Sequence, residues 1–254
     1  MSTAPEPSPS QSRPAPGPAP DPSSFVRVRT TRPRQPFPPN SARQPITTER
    51  LVLRVLTEDD FAALRALRTQ PEVMHWTAVG VPDPDDEVTW SRLRPFLTPR
   101  EASNYNFAIC LRETGEFIGL GGCHALRSSL GWPEVGYMLR KEAWGKGYGS
   151  EFLRGWLRAW DQLEREVAEI EVDARTIDEG EEARGQEDGL VKERLLAITA
   201  EGNDRSQGVL KKAGFEWFLS WLAVDSRKDD GPDKWIELPT FRYFPKTLEQ
   251  RGKD

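Results

Sequence analysis

An α/β domain with a mixed, mostly antiparallel sheet is the fold class the sequence predicts, and three observations predict it. Short alternating apolar runs, such as Leu51-Val52-Leu53-Arg54-Val55-Leu56 and Pro133-Glu134-Val135-Gly136-Tyr137-Met138-Leu139, are interspersed with segments of helical spacing. A loop with three glycines, Trp144-Gly145-Lys146-Gly147-Tyr148-Gly149-Ser150, joins one such run to an apolar stripe at helical spacing. Polar residues concentrate in the first 45 positions and around 173–194, so the remainder is normally apolar and long enough for one real core.

Taken in order, residues 1–45 are rich in Pro, Ser, Ala and Arg and lack apolar periodicity. Such a segment cannot bury enough surface to offset its ordering entropy, so a disordered tail is expected. Its Arg content also fits a mitochondrial transit peptide, but repeated prolines oppose the amphipathic helix such a peptide needs. One domain is expected over 46–245. Its first strand ends at Thr57-Glu58-Asp59-Asp60, which resembles a capping box with Asp in the closing position. Phe61, Leu64, Leu67 and Arg68 then predict a helix up to Pro71, and His75 and Trp76 follow in a connecting segment. A second helix starts after Pro82-Asp83-Pro84-Asp85 and carries Val88, Leu93, Phe96 and Leu97.

Residues 107–111 and 117–124 predict a hairpin around Glu113-Thr114-Gly115-Glu116, and 133–139 a third strand running into the glycine loop. Phe152, Leu153, Trp156, Leu157, Trp160 and Leu163 form the stripe of the helix beyond it. The acidic, Gly-rich segment 173–194 predicts an exposed insertion. A strand at 195–199, a helix from Asn203 to Lys212 closed by Gly214, and two closing strands from Phe215 and Trp235 complete the domain. Residues 246–254 are expected to form a C-terminal tail.

The net charge of -5 gives no electrostatic case for direct nucleic-acid binding. No apolar run approaches the ~20 residues needed to span a bilayer, and no signal-peptide core follows Met1, so no membrane role and a cytoplasmic protein are expected. Cys110 and Cys123 lie in apolar strands without metal spacing and are expected to be reduced core residues. With His75 and His124 the only histidines, no metal site is expected.

The glycine loop carries the chemistry. Glycine permits positive φ and removes the Cβ that would hold a ligand off the backbone. Feeding a helix N-terminus, such a loop makes an anion site. It is not a Walker loop, since Lys146 is followed by Gly147 and Arg140 stands five before Gly145; nor is Gly119-x-Gly121 a dinucleotide fingerprint, since His124 takes its third position inside a hairpin.

Residues 144–149 resemble the Arg/Gln-x-x-Gly-x-Gly/Ala pyrophosphate signature of the GNAT superfamily of acyl-CoA N-acyltransferases, with Trp144 in the first position. Thr48-Glu49-Arg50-Leu51-Val52-Leu53-Arg54, Glu134-Val135-Gly136-Tyr137, and Asn203-x-x-Ser206 with Ala213-Gly214-Phe215 are similar to the ribosomal-protein-alanine N-acetyltransferase branch. The resemblance implies that backbone amides of Gly145, Lys146, Gly147, Tyr148, Gly149 and Ser150 hold the pyrophosphate of acetyl-CoA. It implies that Tyr137, Met138 and Leu139 line the pantetheine arm, Leu139 N–H polarising the thioester carbonyl, and that Asn203 contacts that arm. It also implies direct transfer to an amine, a peptide N-terminus or a small amine, without a covalent enzyme intermediate.

The amine must be neutral to attack, so a base is needed. Glu134, which shares a strand face with Gly136 and Met138, is the candidate; the alternative is a strand-edge carboxylate satisfied by an arginine. Leu210 stands where many of these enzymes carry a Tyr that protonates the leaving thiolate, which leaves Ser206 as the substitute, against a capping role for its hydroxyl. His75 and Trp76 are candidate walls of the acceptor pocket, against simple packing; His124 has the same two readings. A non-catalytic acyl-CoA-binding module that meets a protein partner is the alternative to an enzyme.

Overall fold

The alternating runs pair into one eight-stranded sheet and a two-stranded ribbon in a computed structural model that describes residues 13–181, 189–225 and 235–246. The strands are β1 (Phe25–Pro33), β2 (Ile46–Thr47), β3 (Leu51–Arg54), β4 (Tyr105–Leu111), β5 (Phe117–Ala125), β6 (Glu134–Leu139), β7 (Arg165–Asp173), β8 (Leu195–Ile198), β9 (Glu216–Val224) and β10 (Trp235–Tyr243). The helices are α1 (Phe61–Arg68), α2 (Pro71–Met74), α3 (Asp86–Leu93), α4 (Tyr148–Gln162) and α5 (Asp204–Lys212). The main sheet runs β2-β3-β4-β5-β6-β8-β10-β9 and is antiparallel apart from the parallel pair β6–β8.

Period-two alternation sends successive strand residues into opposite layers. Leu53, Phe107, Ile109, Val135 and Leu139 pack with Phe152, Trp156 and Trp160 of α4 and Leu210 of α5. Ala108, Cys110, Leu120 and Met138 face the other way, against Leu64 and Leu67 of α1 and Leu93 of α3. Burying rings such as Trp156 and Trp160 contributes roughly 2–3 kcal/mol each. The close seat of α4 needs a glycine in β5, because a Cβ at Gly121 would lie 2.6 Å from both Tyr137 Cβ and Phe152 Cζ. The Thr57–Asp60 box forms, with Thr57 N–H donating to Asp60 Oδ2 at 2.9 Å and Arg54 holding the same carboxylate.

The expected disordered tail over 1–45 is corrected for its described part; residues 1–12 lie outside the described residues. Phe25–Pro33 is a strand, paired antiparallel with Arg165–Asp173 over its whole length. The composition misled because the apolar residues are few but alternate: Val28 packs with Trp132, Leu130 and Val172, and further along the strand Arg32 meets Glu166 of β7 at 3.0 Å. β7 itself lies between the predicted helix and insertion and was unassigned by the sequence.

The expected exposed insertion over 173–194 is corrected likewise, except that 182–188 lie outside the described residues. Asp173, Thr176, Val191, Glu193 and Arg194 are buried. Arg194, with no exposed side-chain surface, pairs with Asp178 and Glu181, and Arg242 of β10 also meets Asp178. Acids of this segment are thus paired with a buried arginine at its own end and with Arg242 from a distant strand. Of the expected C-terminal tail, 247–254 lie outside the described residues.

Candidate active site

β6 and β8 pair at Glu134↔Leu196, closed by Leu196 N–H to Pro133 O at 2.8 Å, and then part. Beyond that point the edge of β6 facing β8 carries backbone donors and acceptors free of ladder pairing among the described residues. The gap opens into a cleft of about 1050 Å³ lined by β6, β8, the glycine loop, the start of α5 and Trp76.

At one end stands the glycine loop. Gly145 and Gly147 adopt φ of 74° and 83°, and Gly147 is the left-handed N-cap of α4. Nothing lies within 4 Å of a Cβ built on Gly145. The loop thus borders open space at the positive end of α4, an arrangement that suits an anion such as a pyrophosphate. Gly145, Gly147, Tyr148, Gly149 and Ser150 line the cleft, whereas the exposed Lys146 side chain does not. The Lys146 carbonyl instead accepts from Arg50 Nη1 at 3.0 Å.

Arg50 is a loop-holding residue that the sequence did not single out. Its Nε donates to Glu151 Oε2 at 2.7 Å, and its guanidinium lies 4.7 Å from the Tyr148 ring centre. Glu151 Oε1 further accepts from Arg50 N–H at 2.7 Å and Thr48 Oγ1 at 2.6 Å. Burial pushes the Glu151 carboxyl up, but the hydrogen bonds from Thr48 and Arg50 outweigh it, and its pKa falls below the ordinary value. The first strand region is thereby tied to the first turn of α4, fixing the loop between them.

At the other end, Glu134 projects from β6 on the Met138 face, as alternation requires. Its side chain is 17% exposed, and burial pushes its carboxyl up to about 7. The expected alternative, a carboxylate satisfied by arginine, does not occur among the described residues; its neighbour is His124, with Nε2 3.6 Å from Glu134 Oε1. A β-bulge sets this contact. Cys123 pairs with Val135 and Ala125 with Glu134, so His124 is the extra residue and its ring turns toward the cleft. A Cβ at Gly136 would lie 3.0 Å from that ring, so glycine makes the room. Burial lowers the His124 pKa, with a Gly122 backbone hydrogen bond acting the other way. No pattern in the sequence announces the bulge that brings His124 to the cleft.

Met138 and Leu139 line the cleft, and Leu139 O accepts from Trp144 Nε1 at 2.8 Å, bracing the entry to the loop. Tyr137 lines the cleft too, from the face opposite Met138, with its hydroxyl 3.0 Å from Ser206 Oγ. Asn203 Oδ1 accepts from Ser206 N–H at 3.2 Å and caps α5, so Asn203 and not the Ser206 hydroxyl performs the capping. Trp76 lines the cleft; His75 is exposed, outside that lining, with its ring edge-on to Trp76 at 4.7 Å. Arg205, stacked 5.3 Å from the Trp144 ring centre, and Lys212 add cations to the lining that the motifs did not mark.

A splayed parallel strand pair beside a glycine loop at a helix N-terminus, with a buried carboxylate at the base of the splay, defines a class of α/β domain with one cleft between an anion-suited loop and a carboxylate. The family model for the acetyltransferase (GNAT) domain matches residues 50–216, more than half of the chain, and the chain belongs to that family. An uncharacterized N-acetyltransferase p20 of Bacillus licheniformis is 31% identical over 110 residues, 42% of this chain and 60% of that relative. The chain thus spans about three-fifths of the length of the curated relatives it matches. Among solved structures, a ribosomal-protein alpha-N acetyltransferase in complex with coenzyme A has a TM-score of 0.53 at 14% identity, covering 79% of this chain and 98% of its own. A spermidine N-acetyltransferase from Vibrio cholerae, solved with coenzyme A and spermine, has a TM-score of 0.53 at 12% identity, covering 78% and 97%. At these identities the likeness is one of fold.

Proposed function

We propose that the protein is an acetyl-CoA-dependent N-acetyltransferase acting on a primary amine by direct transfer. The observation that carries this reading is one continuous cleft with an anion loop at Gly145–Ser150 at one end and a buried carboxylate, Glu134, at the other. The family's solved members named above were crystallised with coenzyme A, and their names give a protein alpha-amine and spermidine as acceptors. A primary amine is common to both.

Each residue then has a task. The loop amides hold the pyrophosphate, and the free edge of β6 aligns the pantetheine arm as an extra strand. An oxyanion donor on that edge, the Leu139 N–H, is typically worth ~10²–10³ in rate. Glu134, titrating near neutrality, takes the proton from the incoming ammonium or the attacking amine. His124 Nε2 stands beside it, half in solvent, and offers the proton a route outward. Trp76 walls the acceptor side.

Thiol release from acetyl-CoA, measured with a panel of amines and N-terminal peptides, tests this. Turnover on at least one acceptor is expected. Tight acetyl-CoA binding without turnover on any acceptor would favour the non-catalytic module, and no binding would refute both.

A further inference from the structure

Both faces of β6 border the cleft: one carries Glu134, and on the other Tyr137 forms with Ser206 of α5 a hydroxyl pair that base chemistry does not use. Tyr137 stands on the α4–α5 side, its ring 5.8 Å from that of Phe152 and its hydroxyl 3.0 Å from Ser206 Oγ and 3.4 Å from Ser206 O. Both residues line the cleft between the glycine loop and the point where β6 and β8 part. One turn beyond Ser206, α5 presents the aliphatic and buried Leu210. Ser206 N–H is already engaged by Asn203, so the helix start is fixed while the hydroxyl stays available.

We propose that Tyr137 is a positioning residue for the leaving thiolate: its hydroxyl donates to Ser206 Oγ and thereby aims the Ser206 O–H into the cleft at the departing sulfur. This rests on the reading of the gap as the seat of an acyl-CoA thioester. The amine nitrogen forms the new bond to the carbonyl carbon and loses its proton to Glu134. The electron pair of the C–S bond leaves on sulfur, the Ser206 O–H hydrogen-bonds that thiolate, and water protonates it on release. No proton leaves Tyr137. Burial pushes its hydroxyl up to about 12, well above a thiol at about 8.5, so outright transfer is uphill and hydrogen-bond donation is its role. Glu134 and Tyr137 thus sit on opposite faces of β6, which keeps the proton acceptor apart from the hydroxyl pair at the departing sulfur.

The test needs no acceptor. Free CoA is bound to the protein and its thiol titrated by ultraviolet thiolate absorbance. The acidic and basic side chains lining the cleft are Asp204, Arg205 and Lys212 of α5, Glu134 and His124 across the strand, and Arg127 and Asp225; comparing variants holds them constant. In the unmodified protein the bound thiol should titrate about one unit below its free value, a tenfold preference for thiolate. Tyr137→Phe keeps the ring against Phe152 and should return the thiol to its free value, with CoA affinity at pH 6 unchanged. Ser206→Ala should do the same, and the double variant should add nothing further. With an active acceptor, kcat should fall about 10–100-fold in each while KM for acetyl-CoA holds. A bound thiol that titrates identically in all four proteins, with CoA bound tightly, overturns the assignment alone. Failure of the unmodified protein to bind CoA overturns the acyl-CoA reading and the assignment with it.

Discussion

Gly147→Asp probes the anion loop where it is most constrained. At φ 83° an L-residue costs about 1–2 kcal/mol, because its Cβ crowds the following carbonyl. Asp recovers part of this: it can cap α4, and a Cβ at this position lies 3.3 Å from Arg50 Nη2. The fold should therefore survive with a melting temperature lower by no more than a few degrees. Binding should not. A carboxylate about 6 Å from one pyrophosphate charge, at an effective dielectric of about 20, adds roughly 3 kcal/mol of repulsion, and solvent at this exposed loop reduces it. Coenzyme A affinity should fall about 10–100-fold. Titration calorimetry measures the affinity and a thermal melt the fold, with Gly147→Ala as the control for strain without charge. An Asp variant that binds as tightly as the Ala variant would refute the loop as the anion site.

Two further perturbations address the frame around the site. Glu151→Gln weakens the tie between Arg50, Thr48 and α4, and because the folded Glu151 pKa lies below its unfolded value of about 4.3, the carboxylate contributes stability above that pH that is lost as pH falls through the folded pKa. Denaturant melts should show the variant less stable at pH 7 and the gap narrowing in acid; a constant gap would show that the carboxylate charge is not what matters. Val28→Ala, in the ribbon packed on Trp132, should cost about 1–2 kcal/mol of unfolding free energy. An unchanged midpoint would mean that β1 is not part of the cooperative fold.

How far the sequence spoke depended on whether its signals were local. The alternating runs gave β3 to β6, β8, β9 and β10, and the glycine loop and the α4 stripe were readable because their physics lies within a few neighbouring residues. Glu134 was assigned to its face by counting alternation alone, and the structure keeps it there. The ribbon was hidden because β1 has a polar composition and its partner β7 lies far along the chain, so that each half looks unsupported by itself. His124 reaches Glu134 only through a register shift, and Arg50 reaches Lys146 and Glu151 across about a hundred residues. Both are tertiary facts without a local signature. The resemblance marked Tyr137, which lines the cleft, but the meeting of its hydroxyl with Ser206 had no signal in the sequence.

The central claim is that Glu134 is the base, and the pH dependence of kcat/KM tests it most directly. Burial raises the Glu134 pKa to about 7, so the carboxylate form needed for proton removal accumulates as pH rises through that value. The sign for stability is opposite: with the folded pKa above the unfolded one, this group favours the fold at low pH and loses that contribution as pH climbs from about 4.3 to 7. Glu134→Gln should thus be at least as stable as the unmodified protein at pH 8 while its rate falls about 10²–10⁴-fold. Measured across pH 5–9 on an active acceptor, the unmodified enzyme should show a rising limb near pH 7 that is absent from the variant. A limb of the same midpoint in both proteins would contradict the account.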